Sequence, residues 1–276
     1  MRKSFRTLIA LALVASACAG GPEQESPEQT QGGFTPVEDN LLTVATNLPA
    51  PGFWNGDDPS QIEGGFEYGI ARELAERLGL EDGVNVVNVS FDSLVAGQAR
   101  GFDLALSQVT ITDERAQVVD FTEPYFNSDQ GVMVRRGTEV SDLAAAKALR
   151  WGVQASTTGQ AYVEEQIQPT TEALVYSETT QAFTALQANQ VDAVLLDTAI
   201  VLAQSSQPNS PFEVVGQFRT GEAYGGVLPK GSGNKSEIDR HLQEMKDDGT
   251  LANLGDEFLA PEFGGDPADV PYIEIT

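Results

Sequence analysis

From residue 41 onward the chain alternates short β-branched or apolar runs with helix-periodic segments, which restricts it to an α/β fold with largely parallel strands. Residues 43–46 and 84–89 read as strands. Between them Ile70, Leu74 and Leu78 recur every four residues, Glu73 and Arg77 form an i,i+4 pair, and Gly79 suits the end of a helix buried along one stripe. Residues 104–106, 131–135, 151–153, 174–176, 193–196 and 213–215 continue the strands, and 179–188 and 238–245 read as helices. A chain of 276 residues is long enough for two domains, and it carries no internal repeat.

The amino terminus follows a different logic. Arg2, Lys3 and Arg6 precede an apolar run from Leu8 to Ala15, then Ser16 and Ala17 lead to Cys18, the only cysteine. This is the pattern of an export signal over 1–17, and its apolar run is too short for a permanent membrane helix. Cys18 at its end looks like the lipidated cysteine of a bacterial lipoprotein, although Ala15 stands where leucine is commoner. Plain secretion, with an exposed thiol, is the alternative. Residues 18–40 are rich in Gly, Pro, Gln and Glu and lack an apolar period, so they read as a flexible tether. The formal net charge of −25 opposes nucleic acid and anionic lipid headgroups as partners and serves solubility.

One segment carries chemistry. In Ser107-Gln108-Val109-Thr110-Ile111-Thr112-Asp113-Glu114-Arg115, the guanidinium offers a planar fork for a carboxylate, with hydroxyls at 107 and 110 beside it. That suits a small carboxylic acid. The same residues also suit a helix start, Thr112 capping, Asp113 and Glu114 in the first turn, and Arg115 as a surface charge. Asp197 follows the buried-looking run Ala193-Val194-Leu195-Leu196 and falls at a strand's C-terminal end, where open α/β sheets bind ligands. It could instead cap a helix beginning at Thr198. Asp192 reads as a turn residue.

The Arg115 run, with Val119-Asp120-Phe121-Thr122-Glu123-Pro124-Tyr125 after it, resembles a signature of the family 3 extracellular solute-binding proteins, the periplasmic amino-acid receptors of ABC importers. Further segments resemble the same family in its order: Leu42-Thr43-Val44-Ala45-Thr46, Gly65-Phe66-Glu67, Phe91-Asp92-Ser93-Leu94, Gly152 to Gly159, Val191 to Asp197, Tyr224 to Gly231, and Lys246 to Leu251. The resemblance implies two lobes, 41–134 plus 225–276 and 135–224, joined by a hinge with the ligand cleft between them. It implies that Arg115 and Thr110 take the ligand α-carboxylate, with Thr157 and Thr158 at a helix start in the other lobe, and that Asp197 takes the α-ammonium. Ser107 matches a position that meets the ammonium, and Phe91 one whose ring packs on the ligand side chain. Gln108 replaces a small residue. The loop 47–55 departs most: Asn47 stands where aspartate is usual and Ala50 near a usual aromatic, so Trp54 is expected to supply the missing ring or else to plug the lobe's rim.

The expectation is therefore a monomeric, lipid-anchored receptor on the outer face of the cytoplasmic membrane. It would take a neutral polar or acidic amino acid, glutamine or glutamate ahead of the basic ones, and deliver it to an ABC permease, with no cofactor or metal. A lyase of the cyclohexadienyl dehydratase kind on the same fold is the alternative and needs a general acid in the cleft. A sensor domain is a third reading, with no signalling segment to support it. His241, the only histidine, is expected on a surface helix, so Cys/His nucleophile pairs and metal clusters lack support.

Overall fold

The computed structural model describes residues 33–274. The export signal, Cys18 and most of the tether lie outside the described residues. Strand β1, Leu41–Thr46, is buried on both faces and pairs in parallel with β2, Gly83–Asn88, and β3, Leu104–Ala105. Helix α1, Phe66–Arg77, connects β1 to β2 and buries the expected stripe, Ile70 and Leu74, at roughly 1.5–3 kcal/mol per side chain. Gly79 follows it at φ 72°, the left-handed conformation that glycine adopts without strain. Helix α2, Phe91–Val95, leads into β3.

Two long strands run through the middle of the molecule. Strand β4, Val119–Arg135, pairs antiparallel with β8, Phe212–Pro229, from Val119↔Pro229 to Arg135↔Phe212. Their register shifts four times between Phe121 and Met133, and Pro124, which has no N–H for the ladder, sits at two of the shifts. Between them in sequence lie helix α3, Leu143–Ala148, β5, Trp151–Gln154, α4, Thr158–Tyr162, β6, Leu174–Tyr176, α5, Thr179–Gln187, β7, Ala193–Asp197, and α6, Thr198–Ser205. β5 pairs in parallel with β6 and β7, and β7 antiparallel with β4. The sheet order is β2-β1-β3-β8-β4-β7-β5-β6. Helices α7, Lys235–Asp247, and α8, Thr250–Leu254, pack on α1, and α9, Ala260–Phe263, packs on α6.

The apolar residues divide accordingly. One set, including Leu42, Ile70, Phe91 and Tyr224, fills the half around β1; another, including Val132, Trp151, Leu186 and Leu195, fills the half around β5 and β7. The α/β, two-lobe expectation holds. Two sequence boundaries need correction. Residues 33–40 are not all free tether, because Asp103 accepts from the Val37 N–H at 2.7 Å and Asn234 accepts from the Thr35 N–H at 3.0 Å. The carboxyl-terminal tail, assigned to the first lobe, also reaches the second. The Gln217 N–H donates to Pro271 O and the Ile273 N–H to Gln217 O, both at 2.9 Å, and Ile273 joins the core that contains Trp151. The Tyr272 hydroxyl donates to Asp129 at 2.8 Å, with the Arg219 guanidinium 3.8 Å from its ring centre.

Candidate ligand-binding cleft

The two halves enclose a cleft. Asn47, Phe91, Ser107, Gln108, Thr110 and Arg115 line it from the first half, and Thr157, Thr158, Asp197, Ile200 and Gln204 from the second. Eight of the nine residues expected at the site are therefore brought together. The ninth is not. Trp54 is 1% exposed and faces inward, its indole N–H donating to Glu67 at 2.7 Å and to Leu106 O at 3.1 Å. Phe53, the preceding residue, lines the cleft in its place. The cause is local: Gly52, at φ 80°, turns the chain, and the Trp54 N–H closes back on Ala50 O at 2.7 Å.

Arg115 is a buried cation rather than a surface charge. It follows the turn opened by Thr112, whose hydroxyl accepts from the Arg115 N–H at 3.2 Å, so the capping geometry and the burial occur together. One guanidinium nitrogen donates to Thr110 O at 2.7 Å and another crosses the cleft to Ser156 O at 2.8 Å. The Phe91 ring lies 5.5 Å from its centre. Burial pulls its pKa down, opposed by the charges of Asp197, Glu222 and Glu114. A second bridge over the cleft joins the Asn47 amide to Glu178 at 3.3 Å.

Asp197 occupies the cap position of α6, but its side chain makes no cap bond. Its carboxylate instead accepts from Gln130 Nε2. That nitrogen also reaches Glu222 at 2.7 Å and Thr158 Oγ1 at 3.2 Å. Asp197 is 8% exposed, and its pKa is raised to about 8, first by burial and next by the negative charge of Glu222, against Tyr224, Arg115 and Gln130. Asp192, by contrast, turns the chain through Arg150 and Arg135, which hold its pKa down to about 2.

The remaining polar side chains have partners of their own. Ser107 Oγ accepts from the Asn47 N–H at 3.0 Å. Thr157 donates to Gln154 O at 2.7 Å and caps α4 by accepting from the Gln160 N–H at 3.1 Å. Gln108 sits at φ 49°, with its backbone N–H donating to Glu67 at 2.8 Å and its amide turned onto the same carboxylate. Glu67 is fully buried and also receives the Tyr125 hydroxyl; burial, against those hydrogen bonds, raises its pKa to about 7.

Sequence reading missed Gln130, Glu222 and Glu67 as parts of this region. The first two are polar residues inside long strands, a signal that exists only once the strands are known to cross at the cleft. His241 also needs correction: it is 5% exposed on the apolar face of α7 with Ile238 and Leu242, its ring nitrogens against Arg240 and Glu244. Among the described residues no group of His, Cys, Asp and Glu is arranged to hold a metal ion. Of the described residues lining the cleft only Arg115 and Asp197 carry ionisable side chains.

Comparison with known proteins agrees with this geometry. Residues 42–261 match the profile of the bacterial extracellular solute-binding proteins, family 3. The ABC transporter glutamine-binding protein GlnH of Bacillus subtilis is 30% identical over 98% of this chain and 100% of its own length. The L-cystine-binding protein TcyJ of Escherichia coli K12 is 28% identical over 82% of this chain and 83% of its own. Among solved structures, an ancestral arginine-binding protein bound to glutamine superposes with a TM-score of 0.72 at 31% identity, covering 79% of this chain and 97% of that one. Cleft, strand crossing and sequence match converge, and the chain belongs to the bacterial extracellular solute-binding proteins of family 3.

Proposed function

We propose that this chain captures an α-amino acid in the cleft and delivers it to the permease of an ABC importer. One observation carries the reading: the Arg115 guanidinium and the Asp197 carboxyl group, both buried, face one cleft from its two sides. An amino acid has the complementary pair of charges. Arg115 takes the α-carboxylate with Thr110, Thr157 and Thr158 around it, and Asp197 takes the α-ammonium beside Ser107. Phe91 lies along the ligand's body. Gln108 contributes its stem, since its amide is held by Glu67. Trp54 has no contact role and Phe53 takes its place.

The uncharged remainder of the lining favours a neutral polar side chain. A lysine or arginine side chain would be desolvated without a counter-ion, which costs several kcal/mol. Glutamine is ranked first, and the Bacillus relative, named for binding glutamine, supports that rank. Ligand binding is coupled to closure of 41–134 plus 225–276 on 135–224, because each side holds different groups of the ligand. The lipid on Cys18 and the tether keep the monomeric receptor at the outer face of the membrane. The lyase reading would use Asp197 as its acid; the relatives reported above are all named for binding.

A thermal-shift panel of the twenty amino acids tests the proposal, because a ligand of the native state raises its melting temperature. L-Glutamine should give the largest shift. A largest shift with arginine or lysine sinks the specificity; no shift with any amino acid sinks the function.

A further inference from the structure

The groups around Asp197 contain an imbalance that ligand contacts alone do not explain. Gln130 is 1% exposed, and its Nε2 has two hydrogens facing three acceptors: Asp197 Oδ1, Glu222 Oε2 and Thr158 Oγ1. Its own Oε1 is buried without a partner. Two carboxylates converging on one amide nitrogen bring oxygens within about 5 Å of each other, where like charges in a dry site disfavour joint ionisation. Glu222 is partly exposed and Asp197 is not, so Asp197 is the one driven neutral.

The other charged and titratable groups relieve the pair only in part. Arg115 lies across the cleft with hydrogen bonds to two carbonyls, and Glu114, its neighbour, is a further negative charge. On β8 the Tyr224 hydroxyl is buried near Asp197 and pulls its proton affinity down, short of offsetting burial and Glu222. From β4 Gln130 bonds both carboxylates and Ser128 pairs with Glu222, while Asp129 on β4 and Tyr162 on α4, which feels the charges of Asp129 and Glu222, add no positive charge.

We propose that Glu222 is a positioning residue that keeps Asp197 a neutral carboxylic acid in the empty receptor, so that capture of an α-ammonium releases one proton to solvent. The ammonium enters with its three protons, the Asp197 O–H bond breaks, and its proton passes to water or buffer base. Asp197 then stands as a carboxylate beside the bound cation. The inference rests on the reading of Asp197 as the ammonium's counter-ion. It adds a consequence that the reading lacks: affinity rises with pH through the neutral range, by up to tenfold per unit below the Asp197 pKa of about 8.

Two measurements on the full chain test it. With carbon-13 in the Asp carboxyl groups and no ligand present, one Asp should keep its proton above pH 6 and titrate near pH 8, and Asp197→Asn should remove that step. In Glu222→Gln the step should move down by about one pH unit or more. An Asp197 step in the ordinary acidic range, or one unmoved by Glu222→Gln, overturns the proposal. Calorimetry with L-glutamine at pH 7, in two buffers of different ionisation enthalpy, should give close to one proton released per ligand. Glu222→Gln should release less than half as much, with a flattened pH profile of affinity; equal release in both proteins overturns the proposal. Failure of glutamine to bind would count against the amino-acid assignment, and the ligand-free titration would still decide the role of Glu222.

Discussion

Glu67 and Asp197 are both buried carboxylates with raised pKa values, and they differ in what surrounds them. Glu67 receives the Trp54 indole, the Gln108 backbone N–H, the Gln108 amide and the Tyr125 hydroxyl. Asp197 receives the shared Gln130 amide, with the Tyr224 hydroxyl near it, beside a second carboxylate and a cleft. Burial is the same and the supply of donors is not. A carboxylate whose lone pairs are filled by fixed donors belongs to the scaffold, whereas one short of donors at a cleft wall has capacity left for a ligand.

The comparison breaks most visibly if Glu67 is removed. Glu67→Ala leaves three donors, the Gln108 N–H, the Gln108 amide and the Tyr125 hydroxyl, without this acceptor and should cost about 3–5 kcal/mol. At roughly 2–4 °C per kcal/mol for a chain of this size, its melting temperature should fall on the order of 10 °C. Glutamine affinity of the folded protein should stay within about tenfold. A Glu67→Ala protein as stable as the parent would erase the distinction.

Arg115→Met and Asp197→Asn should do the reverse. Each removes one partner of a desolvated charged pair, about 2–5 kcal/mol, so affinity should fall roughly 30-fold or more by calorimetry. Asp197→Asn should not lower the melting temperature of the empty protein, whereas Arg115→Met frees the Thr110 and Ser156 carbonyls and should lower it by a few degrees. Affinity within threefold of the parent for either variant removes that residue from the site.

The smallest effect is in the pH dependence of the empty protein. Both groups bind their proton more tightly folded than unfolded, so their contribution is complete below about pH 4. It is lost as pH rises through about 7 for Glu67 and about 8 for Asp197. The melting temperature of the parent relative to Asp197→Asn should therefore fall by a few degrees for each pH unit between about 5 and 8 and then level off. A difference that is flat with pH would remove Asp197's proton from the account.

Much of this was legible in the sequence because it depends on local pattern. The strands at 43–46 and 193–196, the helix stripe Ile70 and Leu74, and Arg115 in its hydroxyl-bearing run are each written in contiguous residues. What depended on side-chain direction was not legible. Trp54 and Phe53 are adjacent, and which ring faces the cleft is decided by the turn at Gly52. His241 sits in a helix dominated by charge, and only the packing of α7 on α1 reveals that its face is the covered one. Gln130 and Glu222 are 92 residues apart and meet because two irregular strands cross.

The pairing of β3 with β8 has a consequence for how the protein is made. The half that begins at residue 41 lacks its strand between β3 and β4 until residues near 227 exist, and its amino-terminal segment is fastened at Thr35 to Asn234, 199 positions later. Contacts this distant close slowly. A nascent chain emerging in order thus has no finished first half to fold into until nearly all of it has been synthesised.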